Sequence, residues 1–231
     1  MTDDPVAVSA AWLDAVRLDA PTHEHEARLR DWPRDDLRDR LDADAARLAF
    51  WANVYNAAAQ SVLAVSPEQW TARNQFFRAP IATVAGRDCS LDDIEHGLLR
   101  RSHPKWGLGY VPNPFPSNFE RTFRVDERDP RVHFALNCGA AACPPIRSYS
   151  RERIDEQLDT ATASYLEQEV AYDPGANAVE LPRLLLWFRG DFGGARGIRR
   201  LLRRFDCIPH GADPSFTYRS YDWSLDAGNW R

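Results

Sequence analysis

One short segment of the 231-residue sequence carries most of the side chains that can form a reactive site: HFALNCGAAACPP, which begins at His133. The alternation of residue types in RVHFALNC predicts a strand with His133 and Asn137 on one face. This strand would end at Cys138, beside a glycine, where a side chain is open to attack. A thiolate needs a base or cation nearby to lower the pKa of the thiol, and His133 is one candidate. The segment predicts a thiol nucleophile at Cys138, with Cys143 as the competing thiol.

The same residues allow other interpretations. Both cysteines are consistent with small buried hydrophobic side chains, as free cysteines often are. A metal site would use His133, Cys138 and Cys143, but gaps of four residues fit structural zinc poorly and the sequence has no CxxC motif. We therefore expect no metal and no other cofactor. A redox pair of Cys138 and Cys143 also stays open, although the familiar motif has only two residues between its cysteines.

A second candidate group lies in SLDDIEHGLLR, where Ser90 and the two aspartates indicate the start of a helix. His96 and Arg100 are four residues apart and share one helical face, and Asp92 lies one turn before His96. The group fits an oriented base with a substrate-binding cation. It also fits an ion-pair ladder on the surface, which the spacing alone favours.

The segment from 48 to 65 has no charged residue and is rich in alanine, which predicts a buried central helix. Asn53, Asn56 and Gln60 form a polar stripe along it. These amides and Pro67 argue against the alternative of a membrane span. Buried amides must be hydrogen-bonded, so they either brace a neighbouring loop or face a polar cavity, and bracing is favoured.

The remaining patterns position these segments within an α+β fold. Residues 1–47 form a charged helical region, interrupted at Pro21, Trp32 and Pro33, and IATVAGRDC predicts a strand and turn. Residues 102–130 predict a long irregular loop, and Ser150 predicts the cap of a helix to about Glu169. YDPGANAVEL predicts a turn and strand, PRLLLWFRGDF and residues 195–205 predict helices, and FTYRSYDWSLDAGNW predicts a final strand. We expect one compact domain over residues 1–231, mostly helical with a small sheet.

Composition restricts the class of protein. The N-terminus is acidic rather than basic and no run of about 18 apolar residues occurs, so we expect a cytoplasmic protein whose four cysteines are reduced. Lys105 is the only lysine among 29 basic residues, which suits a salt-adapted or GC-rich source. The net charge of −5 makes nucleic acid or anionic lipid an improbable partner, despite five arginines between 196 and 204. A small molecule or peptide is expected instead, and the oligomeric state is left open.

Four segments in this order resemble the domain of unknown function 547 family: AFWANVYNA, SLDDIEHGLLR, HFALNCGAAACPPI, and LWFRGDF with YDWSLD. The resemblance runs from about Leu48 to Asp226, which we expect to be the family-like core. Ala142 replaces the usual serine before the second cysteine, and Asp226 replaces the usual asparagine. The resemblance implies a compact domain, used alone in microbes and appended to other modules in plants and animals, with no settled activity. The matching positions are Trp51, Asn53, Tyr55, Asn56, Glu95, His96, Arg100, His133, Cys138, Gly139, Cys143, Pro144, Asp191, Asp222 and Trp223.

Two hypotheses follow. The first is a thiol-dependent hydrolase or acyltransferase in which Cys138 is the nucleophile, His133 or His96 is the base, and Asn137 or Asn56 orients the base or stabilises an oxyanion. The second is a non-catalytic module that binds a ligand or peptide through a buried polar network. The expected binding residues are Asn56, Asn137, Glu95, Arg100, Tyr55 and Asp222.

The first hypothesis makes two structural predictions. The segments around His96, His133 and Cys138 should converge in space, because a site of this kind is usually assembled from distant parts of the chain. Cys138 should also be the most reactive thiol, because a cysteine at a strand end beside a glycine faces an opening.

Overall fold

A long uncharged helix, α4 (Asp44–Val65), lies at the centre of the molecule. The computed structural model describes residues 4–230. Nearly every side chain from Leu48 to Gln60 is buried, including Trp51 and Tyr55. Repeated alanines allow neighbouring elements to pack closely on all sides of this helix. The predicted buried helix from 48 to 65 is therefore confirmed, with its start four residues earlier than expected.

Three helices precede α4, and the first of them packs against it. The first, α1 (Pro5–Arg17), begins where the carboxylate of Asp4 accepts a hydrogen bond from the N–H of Val6 at 3.1 Å, and it packs along α4. Two shorter helices follow, α2 (His23–Arg30) and α3 (Arg34–Arg40). Each of these two buries a single leucine against the core, and in α3 Arg38 and Arg40 form surface ion pairs with Asp35 and Asp36.

The remaining helices and strands are short apart from two helices, Ile154–Glu169 and Gly194–Arg204. They are α5 (Arg73–Phe76), β1 (Ala82–Val84), β2 (Arg87–Cys89), α6 (Asn118–Phe123), α7 (Ile154–Glu169), β3 (Ala171–Asp173), β4 (Ala178–Leu181), α8 (Leu184–Trp187), α9 (Gly194–Arg204) and β5 (Ser215–Tyr218). Strands β1 and β2 form an antiparallel hairpin. In the second sheet β4 lies in the middle, antiparallel to β3 and parallel to β5.

The core consists of two hydrophobic clusters within a single compact domain. The larger cluster surrounds α4 and extends from α1 to the first part of α7. The smaller cluster fills the space between the second sheet, α8 and α9, and contains Phe134 and Phe192. Helices dominate and the sheets are small, so the α+β class is confirmed. Among residues 4–230, no helix is both long and apolar enough to cross a membrane.

The strand predicted for RVHFALNC does not exist. Pro130–Phe134 forms a 3₁₀ helix, and Asp129 caps it by accepting the N–H of Arg131 at 2.9 Å. The residues from Val132 to Cys138 are all buried, so the alternation of residue types does not separate two faces of a sheet. An aspartate followed by proline is a helix-start signal, and it outweighs the alternation here.

Three further details differ from the sequence predictions. The helix after Ser90 is capped as expected, because Asp93 donates its N–H to Ser90 Oγ at 3.0 Å, but Asp93–Leu99 is π-helical. Ser150 does not cap α7, which begins at Ile154. The predicted irregular loop from 102 to 130 contains α6, which opens with a capping box of Ser117 and Glu120.

Candidate functional site

A cavity of about 420 Å³ brings together the chemically distinctive side chains of the chain. Tyr55 of α4, Glu95 and His96 of the π-helical segment, and both cysteines of the 138–143 loop line it. Its other walls are largely aromatic. A larger cavity of about 610 Å³ lies between α1, α2 and the β1–β2 hairpin, and the described residues that line it include no cysteine or histidine. The smaller cavity is therefore the candidate site.

The two cysteines of the cavity form a close pair. Cys138 Sγ lies 3.3 Å from Cys143 Sγ, and both residues are 7% exposed. Cys143 Sγ also accepts the backbone N–H of Cys138 at 3.4 Å and lies 3.3 Å from the hydroxyl of Tyr221. Donors thus converge on the sulfur of Cys143.

These contacts give the two thiols opposite acidities. Hydrogen bonds from the Cys138 thiol, the Tyr221 hydroxyl and nearby backbone N–H groups outweigh burial and lower the pKa of Cys143 to about 7. The hydrogen bond between the two thiols, together with burial, raises the pKa of Cys138 well above its ordinary value. This favours the opposite of the predicted order, with Cys143 rather than Cys138 as the more readily ionised thiol.

A glycine makes the turn between the two cysteines possible. Gly139 has φ +101°, and a side chain there would place its Cβ 2.3 Å from Cδ1 of Leu63. The backbone N–H of Cys143 donates to the carbonyl of Ala140 at 2.9 Å, which closes the turn. Only glycine satisfies both the left-handed conformation and the close approach to α4.

Amide side chains of α4 fix the backbone that leads into this turn. Asn56 donates to the carbonyl of Ala135 at 2.9 Å and accepts the N–H of Asn137 at 2.8 Å. Gln60 donates to the side-chain oxygen of Asn137 at 3.1 Å, and Asn137 donates to the carbonyl of Pro144 at 2.7 Å. The favoured interpretation of the polar stripe, that its amides brace a neighbouring loop, describes these contacts.

Glu95 is an almost buried carboxyl group in the cavity wall. Its side chain is 13% exposed, and the hydroxyl of Tyr55 lies 3.5 Å from its Oε2. Burial raises the pKa of Glu95 to about 7, although the charge of Arg100 opposes the shift. The group therefore exchanges a proton near neutral pH, as a general acid or base requires.

The imidazole of His96 is held neutral in one tautomer. Arg100 donates from Nη1 to Nδ1 of His96 at 2.8 Å, and because arginine cannot accept a hydrogen bond, the proton of His96 must lie on Nε2. Burial, with the charges of Arg100 and Lys105, lowers the pKa of His96 well below its ordinary value. Nε2 lies 3.5 Å from Oδ1 of Asp92.

His133 belongs to a buried cluster around Asp191. Asp191 Oδ2 lies 2.8 Å from Nε2 of His133 and 2.6 Å from Nε of Arg100, and Oδ1 lies 2.6 Å from Nη1 of Arg128. Burial would raise the pKa of Asp191, but its hydrogen bonds and the charges around it hold that pKa well below the usual range. The ring of His133 stacks on Phe188 with centroids 4.0 Å apart.

The pairing with Asp191 determines the tautomer of His133. An ionised carboxylate only accepts, so Nε2 of His133 carries the proton and Nδ1 keeps its lone pair. Burial lowers the pKa of His133, although Asp191 opposes this shift. The imidazole is thus neutral and oriented, in the arrangement by which a carboxylate fixes a histidine base.

The predicted convergence of His96, His133 and Cys138 is present, because all three line the cavity. Within residues 4–230, however, no imidazole nitrogen forms a hydrogen bond to a cysteine sulfur. Both expected bases are instead oriented by a charged residue. In the same part of the chain, no group of three or more His, Cys, Asp and Glu side chains is arranged to hold a metal ion.

Four of the expected binding residues do not line the cavity: three are buried behind its wall, and the fourth, Asp222, is exposed on the surface. Asn56 and Asn137 are fully buried, and their amides bond to backbone groups and to Gln60. Arg100 is 1% exposed and is occupied by Asp191 and His96. Asp222 accepts the N–H and hydroxyl of Ser224 through its side chain. The other two, Tyr55 and Glu95, do line the cavity.

Three residues of the site were not among the predicted functional residues. Asp191 was known only from the family pattern, since it lies 91 positions from Arg100 and no local spacing joins them. Arg128 carried no signal, and Tyr221 opens the segment YDWSLD of the family resemblance but was not among the matching positions. Hydrogen bonding across the fold, rather than sequence spacing, gives these residues their importance.

A family model identifies the family to which the chain belongs. The model described as "Protein of unknown function, DUF547" matches residues 39–166, which is more than half of the chain. The chain belongs to this family. The DUF547 match includes the four predicted catalytic residues, Cys138, His133, His96 and Cys143, and ends before Asp191 and Tyr221. No curated protein and no solved structure matches the chain.

Proposed function

We propose that this protein is a thiol-dependent hydrolase or acyltransferase in which Cys143 attacks the carbonyl carbon of an acyl substrate. The observation that carries the proposal is the sulfur of Cys143, which lines the cavity, accepts a hydrogen bond from the N–H of Cys138 and lies 3.3 Å from the hydroxyl of Tyr221, a group that donates to a thiolate. Such donors stabilise a thiolate, the form in which a cysteine is nucleophilic. A reducing, cytoplasmic location would keep this thiol free.

Glu95 is the proposed general acid and base. It lines the same cavity as Cys143, and its pKa of about 7 leaves both protonation states populated near neutral pH. A protonated carboxyl group can donate to a leaving group, and the carboxylate that remains can accept a proton from water. Most glutamates are fully ionised at this pH, so the burial of Glu95 provides this property.

The two imidazoles supply a fixed donor and a fixed acceptor. His96 carries its proton on Nε2, which suits the polarisation of a substrate carbonyl oxygen. His133 carries its proton toward Asp191 and keeps a lone pair on Nδ1, which suits the acceptance of a hydrogen bond that orients a second substrate. Neither role requires a direct bond from an imidazole to a cysteine.

The reaction proceeds in two displacements. The thiolate of Cys143 forms a bond to the acyl carbon, the bond to the leaving group breaks, and protonated Glu95 gives its proton to that group. Water or an acceptor molecule then attacks the thioester, Glu95 takes its proton, and the thiolate of Cys143 leaves. Hydrolysis and acyl transfer differ only in the identity of this second nucleophile.

The cavity walls favour an aromatic or apolar acyl group. Trp187, Tyr221 and Trp223 pack along one wall with their rings tilted to each other and ring centroids between 4.5 and 5.8 Å apart. A volume of about 420 Å³ admits a small molecule or one side chain of a peptide. Lys105 and Arg73 also border the cavity and complement an anionic substituent.

A non-catalytic binding module remains the second candidate function. It is favoured by the Asp191 cluster, in which each buried charge is already paired, and by the aromatic walls, which suit ligand binding without chemistry. The two candidates differ in whether Cys143 forms a covalent intermediate.

An acyl-enzyme test separates them. Purified protein is mixed with small aryl thioesters, the release of aryl thiol is followed, and the mass of the intact protein is measured after rapid quenching. We expect acylation within the peptide from Val132 to Arg147. Cys143→Ala should reduce turnover by more than about 1000-fold, and Glu95→Gln by roughly 100-fold to 10,000-fold.

Cys138→Ala is the matched control, because Cys138 has the same exposure and lies in the same loop. It should turn over more slowly than the parent protein but still form the acyl-enzyme. Thermal unfolding of each variant verifies that it is folded. If the parent protein shows no acylation with any thioester while the same probes bind reversibly in the cavity, the binding module is the correct function.

A further inference from the structure

We infer that Cys138 and Cys143 form a reversible disulfide by exchange with small-molecule disulfides that enter the cavity. This would be a second activity of the site, and it does not depend on acyl transfer. The proposal rests on the position of two thiols, not on a single cysteine. Their chemistry balances when the co-reactant is a low-molecular-weight disulfide.

The distance between the two sulfurs is the first observation. Cys138 Sγ and Cys143 Sγ are 3.3 Å apart, so a bond of about 2.05 Å requires an approach of only about 1.3 Å. The turn that holds them is already closed by the hydrogen bond from Cys143 N–H to Ala140. Four residues separate the cysteines, which leaves the intervening backbone enough freedom for this small movement.

The second observation is that the two thiols differ in the way an exchange reaction needs. Cys143 Sγ accepts the backbone N–H of Cys138 and lies 3.3 Å from both the Cys138 thiol and the Tyr221 hydroxyl, three groups that stabilise its thiolate, so Cys143 is the attacking thiol. Cys138 then stays protonated until a base acts. Glu95 borders the same cavity, and its charge acts on both sulfurs. A buried carboxylate beside a buried thiol is suited to remove the second proton.

The remaining cysteines lack this arrangement. Cys89 Sγ donates to the carbonyl of Arg87 at 3.6 Å, and Cys207 Sγ donates to the carbonyl of Phe205 at 3.5 Å. Neither borders the cavity. Within the described part of the chain, Cys138 and Cys143 are the only sulfurs in contact with each other. The other two thiols therefore serve as internal controls.

The exchange takes two steps. The thiolate of Cys143 attacks one sulfur of the small disulfide, the sulfur–sulfur bond breaks, and one thiolate leaves and takes a proton from water. Glu95 removes the proton of Cys138, whose sulfur attacks Cys143, and the second small thiolate leaves with the proton from Glu95. Two protein thiols lose two electrons, and one small disulfide gains them and becomes two thiols.

The test uses the reduced full-length protein and bis(2-hydroxyethyl) disulfide. The parent protein should release two equivalents of 2-mercaptoethanol, and trypsin should then yield the peptide from Val132 to Arg147, which contains both cysteines, two hydrogen atoms lighter and resistant to alkylation. Cys138→Ser should release one equivalent and keep the other as a mixed disulfide on Cys143. Cys143→Ser should leave Cys138 free.

Several results would overturn the inference. One is a native protein that keeps both thiols of this peptide alkylatable while the unfolded protein oxidises them. Another is modification of Cys89 and Cys207 to the same extent as Cys138 and Cys143, which would mean that the proximity of the two thiols does not promote the exchange. The parent protein provides the decisive measurement, so a variant that fails to fold does not leave the question open. If the disulfide fails to form but thioesters acylate Cys143, only this inference fails, and the reverse result contradicts only acyl transfer.

Discussion

Two groups of titratable side chains border or support the cavity, and they differ in how their charges are compensated. Around Asp191, the carboxylate contacts Arg100 at 2.6 Å, Arg128 at 2.6 Å and His133 at 2.8 Å. Every buried charge there has a partner. Removal of one partner would leave another charge buried and unpaired, so this group is expected to stabilise the fold and orient His133.

Around the two cysteines, the groups are balanced differently. Cys143 and Glu95 both have a pKa of about 7, one lowered by hydrogen bonds and the other raised by burial. Within the part of the chain that the structure describes, neither has an arginine in direct contact. Groups that are poised between two protonation states contribute little stability but can transfer protons and attack substrates. We therefore expect the Asp191 group to stabilise the fold and the thiol group to react with substrates, and the predictions below test that division.

The largest expected effect is on thiol reactivity. At pH 7, Cys143 should react with limiting iodoacetamide about 1000-fold faster than Cys89, whose pKa is raised to about 12 by burial. The thiolate fractions differ by roughly 10⁵, and the lower nucleophilicity of an acidic thiolate reduces the ratio of rates to about 10³. Mass spectrometry of quenched samples measures this ratio.

The pH profile provides the control for this labelling. The rate at Cys143 should rise as the pH passes through about 7 and then level off, because the thiolate forms over that range. If fragment ions show that Cys138 is modified first, the nucleophile is Cys138, as the sequence alone predicted.

The next effect concerns the stability of the Asp191 group. Asp191→Asn should lower the free energy of unfolding by about 3–5 kcal/mol, because Arg100 would remain buried without an anion. Urea denaturation measures the change. Asp35→Asn is the control, since Asp35 is 86% exposed, pairs with Arg38 at 2.8 Å and should cost no more than about 1 kcal/mol.

The loss of stability in Asp191→Asn should also depend on pH. The folded-state pKa of Asp191 lies below the unfolded value of about 3.9, so its contribution is complete above that pH and is lost as the pH falls. The difference between parent and variant should therefore shrink in acid. Equal losses for Asp191→Asn and Asp35→Asn at neutral pH would contradict a structural role for the Asp191 group.

Glu95 should show the opposite dependence on pH. Its folded-state pKa of about 7 lies above the ordinary value of 4.5, so the unfolded chain ionises first and stability falls between these two values. Glu95→Gln should therefore gain about 3 kcal/mol relative to the parent between pH 4 and pH 8. Stability measured at each pH tests this, and Glu152→Gln on the surface controls for the loss of one charge. A flat difference would mean that Glu95 is ionised in the folded protein.

A smaller effect is expected where α4 braces the segment before the thiol turn. Asn56→Ala removes one donor and one acceptor from fully buried backbone groups at Ala135 and Asn137, which should cost about 2 kcal/mol. The exposed Asn74 provides the control variant Asn74→Ala. Asn56→Ala should also broaden the labelling to Cys138, because the loop would lose its fixed position. Unchanged stability would show that water replaces the amide.

Local signals in the sequence predicted the elements that local interactions determine. The absence of charge from 48 to 65 predicted α4, and Ser90 predicted the cap of the next helix. The segment from Val132 to Cys138 was misread because its backbone is satisfied by a side chain 79 positions away, that of Asn56, and not by a neighbouring strand. Alternation in a sequence indicates a strand only when one face is exposed.

The candidate site was predictable in its residue types but not in its charges. The two cysteines and two histidines were identified from their spacing, and they do line one cavity. The order of the two thiols depends on the hydroxyl of Tyr221, which lies 78 positions beyond Cys143. Neither the composition nor the periodicity of the sequence predicts the contact between Cys143 and Tyr221, because only the folded structure determines which hydroxyl lies beside which sulfur.

The smallest predicted effect is on substrate preference at the exposed edge of the cavity. Trp106 is 72% exposed and lines the cavity, whereas Phe115 is 86% exposed and does not. Trp106→Ala should change the free energy of unfolding by less than about 0.5 kcal/mol, because little of the side chain is buried. It should nevertheless weaken the binding of aromatic thioesters by about 1 kcal/mol, the value of one aromatic contact. Phe115→Ala should change neither quantity. A loss of affinity that is equal for aromatic and acetyl thioesters, or equal in the two variants, would show that Trp106 does not contact the acyl group, and the substrate would then be recognised only by the inner walls near Trp187 and Tyr221.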